Sequence, residues 1–287
     1  MNIYANGNGR GKTAMEFEAN SYSELELDYF KENPKTASAF KSKRKDEREF
    51  NLKQTLQSIS KVASRIAPLA QYLAPITANM IVNAVPGAKR NFNPLTAQLL
   101  YPLLQKGDRD SRRKEAEFFG TQAADVEVAN TGIAHEAALT EVLAAEASHT
   151  ESESEAAALI GTALPIAFRV MDGRQLLRPV LPMLLVATAR LVRFLHRHSR
   201  DSRRLLRLVP TILRRTVASL LAARRWGCPM TSALVGCVVA AQTKRVLGNS
   251  QLVYQSITRN ALIRISTVAA APRNPLGYRR SFQRDFS

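Results

Sequence analysis

Six arginines form the most regular chemistry-bearing pattern in the 287-residue chain. Arg190, Arg193, Arg197, Arg200, Arg204 and Arg207 follow one another at steps of 3, 4, 3, 4 and 3, and Arg214 is grouped with them. On a continuous helix such steps line one stripe, because residues three and four apart are surface neighbours. A guanidinium group is a planar fork of donors that fits phosphate or carboxylate oxygens in pairs. Like charges at this spacing repel by about 0.2–0.5 kcal/mol per pair, so something has to offset them. The stripe reads either as the solvated face of a bundle helix or as a surface that meets an anion. These seven arginines are the candidate anion- or partner-binding residues.

The other motifs carry less. Gly7-Asn8-Gly9-Arg10-Gly11-Lys12-Thr13 comes close to a phosphate-binding loop. That loop needs a glycine where Asn6 stands, a buried strand before it and an apolar helix after it. His196 and His198 point apart on a helix and have no carboxylate or thiol beside them in sequence to complete a metal site. Cys228 and Cys237 lie nine residues apart among Ala and Val and read as small core residues. Two cysteines exclude a disulfide framework. No serine sits in a nucleophile-elbow pattern, and no cysteine has a clear base partner in sequence. The expectation is therefore a protein that is not an enzyme, with no cofactor and no metal.

Charge narrows the partners. Lys plus Arg is 41 and Asp plus Glu is 24, a formal net charge of +17. Residues 159–287 hold 22 basic groups, 21 of them arginine, against Asp172, Asp201 and Asp285; residues 1–158 hold 19 basic and 21 acidic groups. The two halves differ in kind. The basic half calls for an acidic protein surface, or for copies of the chain itself in a homo-oligomer or larger assembly. An anionic membrane surface is the next candidate, since basic amphipathic helices lie at such headgroups. Nucleic acid would be attracted too, but aromatics for base stacking are scarce: Trp226 is the single tryptophan. It ranks third. The acidic tract at 125–155 is placed to neutralise the basic half, within the chain or between subunits.

The elements that must position these residues read as all-α. Residues 1–50 read as a disordered or extended tail, ending in the basic run Lys41 to Lys45. Residues 51–106 read as an amphipathic helical segment, with Leu52, Leu56, Ile59, Val62, Ile66, Leu69 and Leu73 on one face. Pro68 and Pro75 are expected to kink or divide it. The uncharged stretch 66–88 has the length of a membrane span, but its three prolines, two asparagines and one glutamine argue against one. A second helical pattern ends near Gly107, and 107–154 reads as an acidic, Ala/Glu-rich linker. Residues 155–267 read as a basic helical domain with helices at 155–171, 174–198, 201–226, 230–247 and 249–267. Thr231 and Asn249 are its expected N-caps. Residues 268–287 read as a basic tail. No leader-like opening follows Met1, so synthesis in the cytoplasm is expected.

The stretches Glu153-Ser-Glu-Ala-Ala-Ala-Leu-Ile, Pro210-Thr-Ile-Leu-Arg-Arg-Thr and Gln242-Thr-Lys-Arg-Val-Leu-Gly-Asn resemble a group of uncharacterised bacterial proteins. Those proteins share an acidic-hydrophobic N-terminal tract, a variable middle and an Arg-rich helical C-terminal domain. The resemblance covers roughly residues 153–265. It implies an association with gene clusters for extracellular contractile injection systems, which are phage-tail-like assemblies. A structural, accessory or cargo role in an extracellular or membrane-associated assembly follows from it, and no catalytic residue does. The run Lys41 to Lys45 and the near-phosphate-loop start depart from that plan. The expected function is thus a non-catalytic helical structural or assembly protein. The alternative is a membrane-active cargo, pore-forming or surface-lying, and a non-specific nucleic-acid binder comes third.

Overall fold

The computed structural model describes residues 34–91, 94–120, 127–173, 175 and 178–270. They are helical, with no strand among them. The order is α1 (Pro34–Ala84), α2 (Ala88–Asn91), α3 (Pro94–Phe119), α4 (Gly132–His149) and α5 (Glu153–Val170). A 3-10 turn, Arg178–Val180, leads into α6 (Leu181–His198), followed by α7 (Arg200–Arg203) and a second 3-10 turn, Arg204–Leu208. The chain ends in α8 (Val209–Arg225), α9 (Ser232–Leu247) and α10 (Ser250–Ala270). It divides into a unit of residues Met1–Gln57 and a larger unit, Ser58–Ser287. Of the smaller unit only the helical backbone from Pro34 is described. The expected phosphate-loop-like segment Gly7 to Thr13 and the tail beyond Ala270 lie outside the described residues.

In the larger unit α8 is the axis. Every residue from Val209 to Ala223 is buried, and α3, α9, α5 and α4 pack around it. A helix buried on all sides needs apolar residues all round, and Ile212, Leu213, Val217, Leu220 and Leu221 supply them. Helix α4 approaches α5 and the 3-10 turn closely because its buried face is built from Ala134, Ala137, Ala138, Ala144 and Ala147. Local signals fix the ends. Thr231 Oγ1 accepts from the Leu234 amide at 3.2 Å and Asn249 Oδ1 from the Leu252 amide at 3.1 Å, so both expected N-caps are formed.

Three expectations are corrected. First, α1 runs through Pro68 and Pro75 undivided. Proline removes an amide donor and crowds the preceding turn. Burial of Ile66, Ala70, Leu73, Ala74, Ala78 and Ile81 along one face outweighs that cost. Second, α3 does not end near Gly107 but continues to Phe119, supported by the i,i+4 pairs Lys106–Asp110 and Arg113–Glu117. Gly107 serves as a point of close approach. A Cβ there would lie 2.0 Å from Ser219 Oγ and 2.7 Å from the Ser219 amide nitrogen of α8. Third, the stretch 107–154 is not a solvated linker, because it supplies the second half of α3 and all of α4, and Glu141 within it is fully buried.

Candidate functional site

Helix α6 carries Leu184, Ala187, Leu191, Val192 and Leu195 on its buried side, which leaves Arg190, Arg193 and Arg197 exposed on the other. The helix stops at His198. Ser199 is extended there, its hydroxyl accepts from the Ser202 amide at 3.0 Å, and the Ser202 hydroxyl accepts from the Ser199 amide at 2.8 Å. This reciprocal cap starts α7 in a new direction and splits the arginine stripe in two. Arg200 is exposed on α7, while Arg204 and Arg207 are half-buried on the 3-10 turn, where residues three apart eclipse one another. The sequence spacing thus survives as two short stripes.

The chain's own acids meet much of this charge. Glu153 accepts from Arg197 through Nε and, at 3.1 Å, through Nη2, and lies 3.7 Å from Arg193 Nε. Arg203 Nη1 donates to Glu151 at 2.6 Å, and Arg204 pairs with Asp201 at 3.5 Å. Hydrogen bonds from Arg203 and Arg197 hold the carboxyls of Glu151 and Glu153, respectively, below the usual range. Arg207 donates through Nε to Ser148 Oγ at 3.1 Å and through Nη2 to His149 Nε2 at 2.8 Å. Arg264 Nη1 donates to the same ring nitrogen at 2.7 Å, and its Nη2 lies 3.1 Å from Glu146. A guanidinium can only donate, so His149 Nε2 is an acceptor to both. Partial burial, with Arg207 and Arg264 beside it, pushes the His149 ring below its ordinary pKa. Arg207 is lowered by burial, then by Arg264 and Arg204. Arg190 and Arg200 have no carboxylate within ion-pair distance among the described residues, although Arg200 lies near enough to Glu151 to help lower its pKa.

Arg214 is elsewhere. Expected with the partner-binding arginines, it is 1% exposed, with Glu115 Oε1 at 3.1 Å from its Nε, Glu141 Oε1 at 2.6 Å from Nη2 and Thr140 Oγ1 at 3.3 Å from Nη1. Arg259 joins the same carboxylates, with Nη1 at 3.0 Å from Glu115 and Nε at 3.4 Å from Glu141. Asn260 donates to the Glu141 main-chain carbonyl at 2.6 Å and to its carboxylate at 3.0 Å. Both guanidinium groups sit over the Phe119 ring, 5.8 and 5.4 Å from its centroid. Burial alone would raise the Glu115 pKa, but Arg259, Arg214 and Arg215 outweigh it and lower it to about 2. Beside this group Arg215 pairs at 3.2 Å with the buried Asp108, which also takes Arg245. These charges meet inside the protein and tie α3, α4, α8, α9 and α10 together. Arg214 therefore cannot face a partner.

The sequence holds a signal for this network that spacing alone does not reveal. Arg214 and Arg215 interrupt an apolar run from Leu208 to Leu221, and Glu141 interrupts an alanine-rich one. Charges embedded in segments too apolar to have a wet face must find each other. Glu115 and Glu141 are saturated by guanidinium donors, and burial pushes the Cys237 thiol up. Among the described residues no three His, Cys, Asp or Glu side chains gather as metal ligands. Among the described residues one stretch, Arg178–His198, is long and apolar enough by composition to cross a membrane, and 44% of its apolar 18-residue window is buried in the fold.

No protein-family model matches this chain, and neither a curated protein nor a solved structure matches it.

Proposed function

We propose that the protein is a non-catalytic helical assembly component that docks on an acidic protein surface, in the first instance a second copy of itself, through the α6–α7 face. One observation carries this reading. The chain's own acids neutralise Arg193, Arg197, Arg203 and Arg204, yet among the described residues no carboxylate lies within ion-pair distance of Arg190 or Arg200 at either end of the exposed run. Exposed guanidinium groups on a rigid, capped corner favour fast, oriented association more than raw affinity. The likeness of residues 153–265 to proteins from contractile-injection gene clusters makes such a machine the assembly of choice, reached after synthesis in the cytoplasm.

The test is light scattering with cross-linking on the purified chain and on Arg190→Glu/Arg200→Glu. The unaltered chain is expected to associate at about 0.1 M salt and to loosen at about 0.5 M, where exposed charges are screened. The double variant is expected to remain monomeric with unchanged circular dichroism. Equal association by both chains would defeat the proposal.

A second reading has its own support. Leu185 and Val186 are 39% and 49% exposed on α6, next to the arginine stripe, in the one described stretch apolar enough for a membrane. An apolar strip bordered by guanidinium groups suits the headgroup region of an anionic bilayer. Flotation of the chain with anionic vesicles, and not with neutral ones, would favour this reading over self-docking.

A further inference from the structure

A cavity of about 360 Å³ opens where the end of α4 meets α7 and the following 3-10 turn, and Arg200, Arg203, Arg204 and Arg207 line it together with Ser148 and His149. Its apolar wall comes from Val62 and Ile66 of α1 and from Ile257 of α10. Arg264 reaches the same place through His149. Four guanidinium groups thus line one hollow, with Arg264 behind His149. Among the described residues Glu151 meets Arg203, Asp201 meets Arg204 and Glu146 meets Arg264. Glu151 is the single acid in the lining, and its side chain is 82% exposed.

The hydrogen bonding inside the cavity is as telling as the charge. Arg207 Nη2 and Arg264 Nη1, two cationic donors, converge on one neutral nitrogen, His149 Nε2, at 2.8 and 2.7 Å. A ring nitrogen with a single lone pair serves two guanidinium groups poorly, whereas the anions they suit offer several oxygens. Elsewhere in this fold buried arginines are matched to carboxylates, as Arg214 and Arg259 are. Here they are not.

We propose that this cavity binds a small phosphate-bearing ligand, whose oxygens take the donors of Arg200, Arg203, Arg204 and Arg207 while Ser148 and His149 form the floor. A phosphate group presents three oxygens to diverging forks and carries close to two negative charges, which matches the surplus of guanidinium over carboxylate. The volume admits a phosphorylated small molecule. The site shares Arg200 with the docking face, while Arg190, Arg193 and Arg197 lie outside it.

The test uses inorganic pyrophosphate and inorganic phosphate as probes, with calorimetry and thermal denaturation on the full chain. Saturable binding of one pyrophosphate per chain is expected, with a raised melting temperature and weaker binding of citrate at equal ionic strength. Arg203→Gln/Arg207→Gln is expected to weaken pyrophosphate at least about tenfold, each lost charged hydrogen bond being worth that much. Arg200 is exposed on α7, and Arg200→Gln is expected to weaken it about threefold in a chain of unchanged circular dichroism. It settles the matter should the double variant not fold. Arg190→Glu is expected to leave pyrophosphate binding intact while impairing self-association. No saturable binding, several equivalents bound with equal strength, or full affinity in Arg200→Gln would each overturn the proposal.

Discussion

Arg214 and Glu141 form an ion pair with 1% and 0% of their side chains exposed. Such a pair adds little net stability compared with apolar residues of the same volume, but removing one member strands the other. Glu115 is the most informative member to alter, because it bonds both Arg214 and Arg259. Glu115→Gln is expected to destabilise the fold by roughly 3–5 kcal/mol in denaturant titrations. The pH dependence follows with its sign. The folded carboxyl lies at about 2 and the unfolded one at its ordinary 4.5, so Glu115 contributes stability that is complete above pH 4.5 and lost as the pH falls from there towards 2. Unfolding free energies measured across that window should slope in the unaltered chain and flatten in the variant.

At the scale of elements, α3 and α8 approach closely where Gly107 faces Ser219. Gln242 of α9 closes this contact by donating to Ser219 Oγ at 2.9 Å and to the Leu104 carbonyl at 3.4 Å. Gly107→Ala is expected to cost about 1–3 kcal/mol or more through overpacking, read as a lower melting temperature. Adding Ser219→Ala should not restore it, because the backbone of Ser219 itself lies 2.7–2.8 Å from the new Cβ. The same contact marks how far the fold is legible from the sequence. Helices after residue 153 can be read because their punctuation is local: Ser199, Thr231 and Asn249 cap through their own next turns. Gly107, Pro68 and Pro75 look like interruptions in isolation, and they stop being so because of what packs against them. The candidate site divides likewise. The 3- and 4-residue steps show the exposed arginines, but the burial of Arg214 depends on carboxylates from α3 and α4 that no local pattern indicates.

Across the whole molecule, composition changes near residue 155 while the structure does not. Arg214 and Arg259 find their partners at Glu115 and Glu141, and Arg203 and Arg197 theirs at Glu151 and Glu153. A fragment of residues 155–267 would leave several guanidinium groups in an apolar interior with nothing opposite. It is expected to be largely unfolded or insoluble by circular dichroism and sedimentation, whereas residues 58–270 should melt in one cooperative transition. A well-folded 155–267 fragment would show the acidic tract to be dispensable. The order of the partners along the chain has a consequence for biosynthesis. Glu115, Glu141 and Glu146 leave the ribosome before Arg214, Arg259 and Arg264, so each cation emerges when its counter-ion is already present in the nascent chain. Translation in the opposite sense would expose an unmatched polycation to every nucleic acid around it.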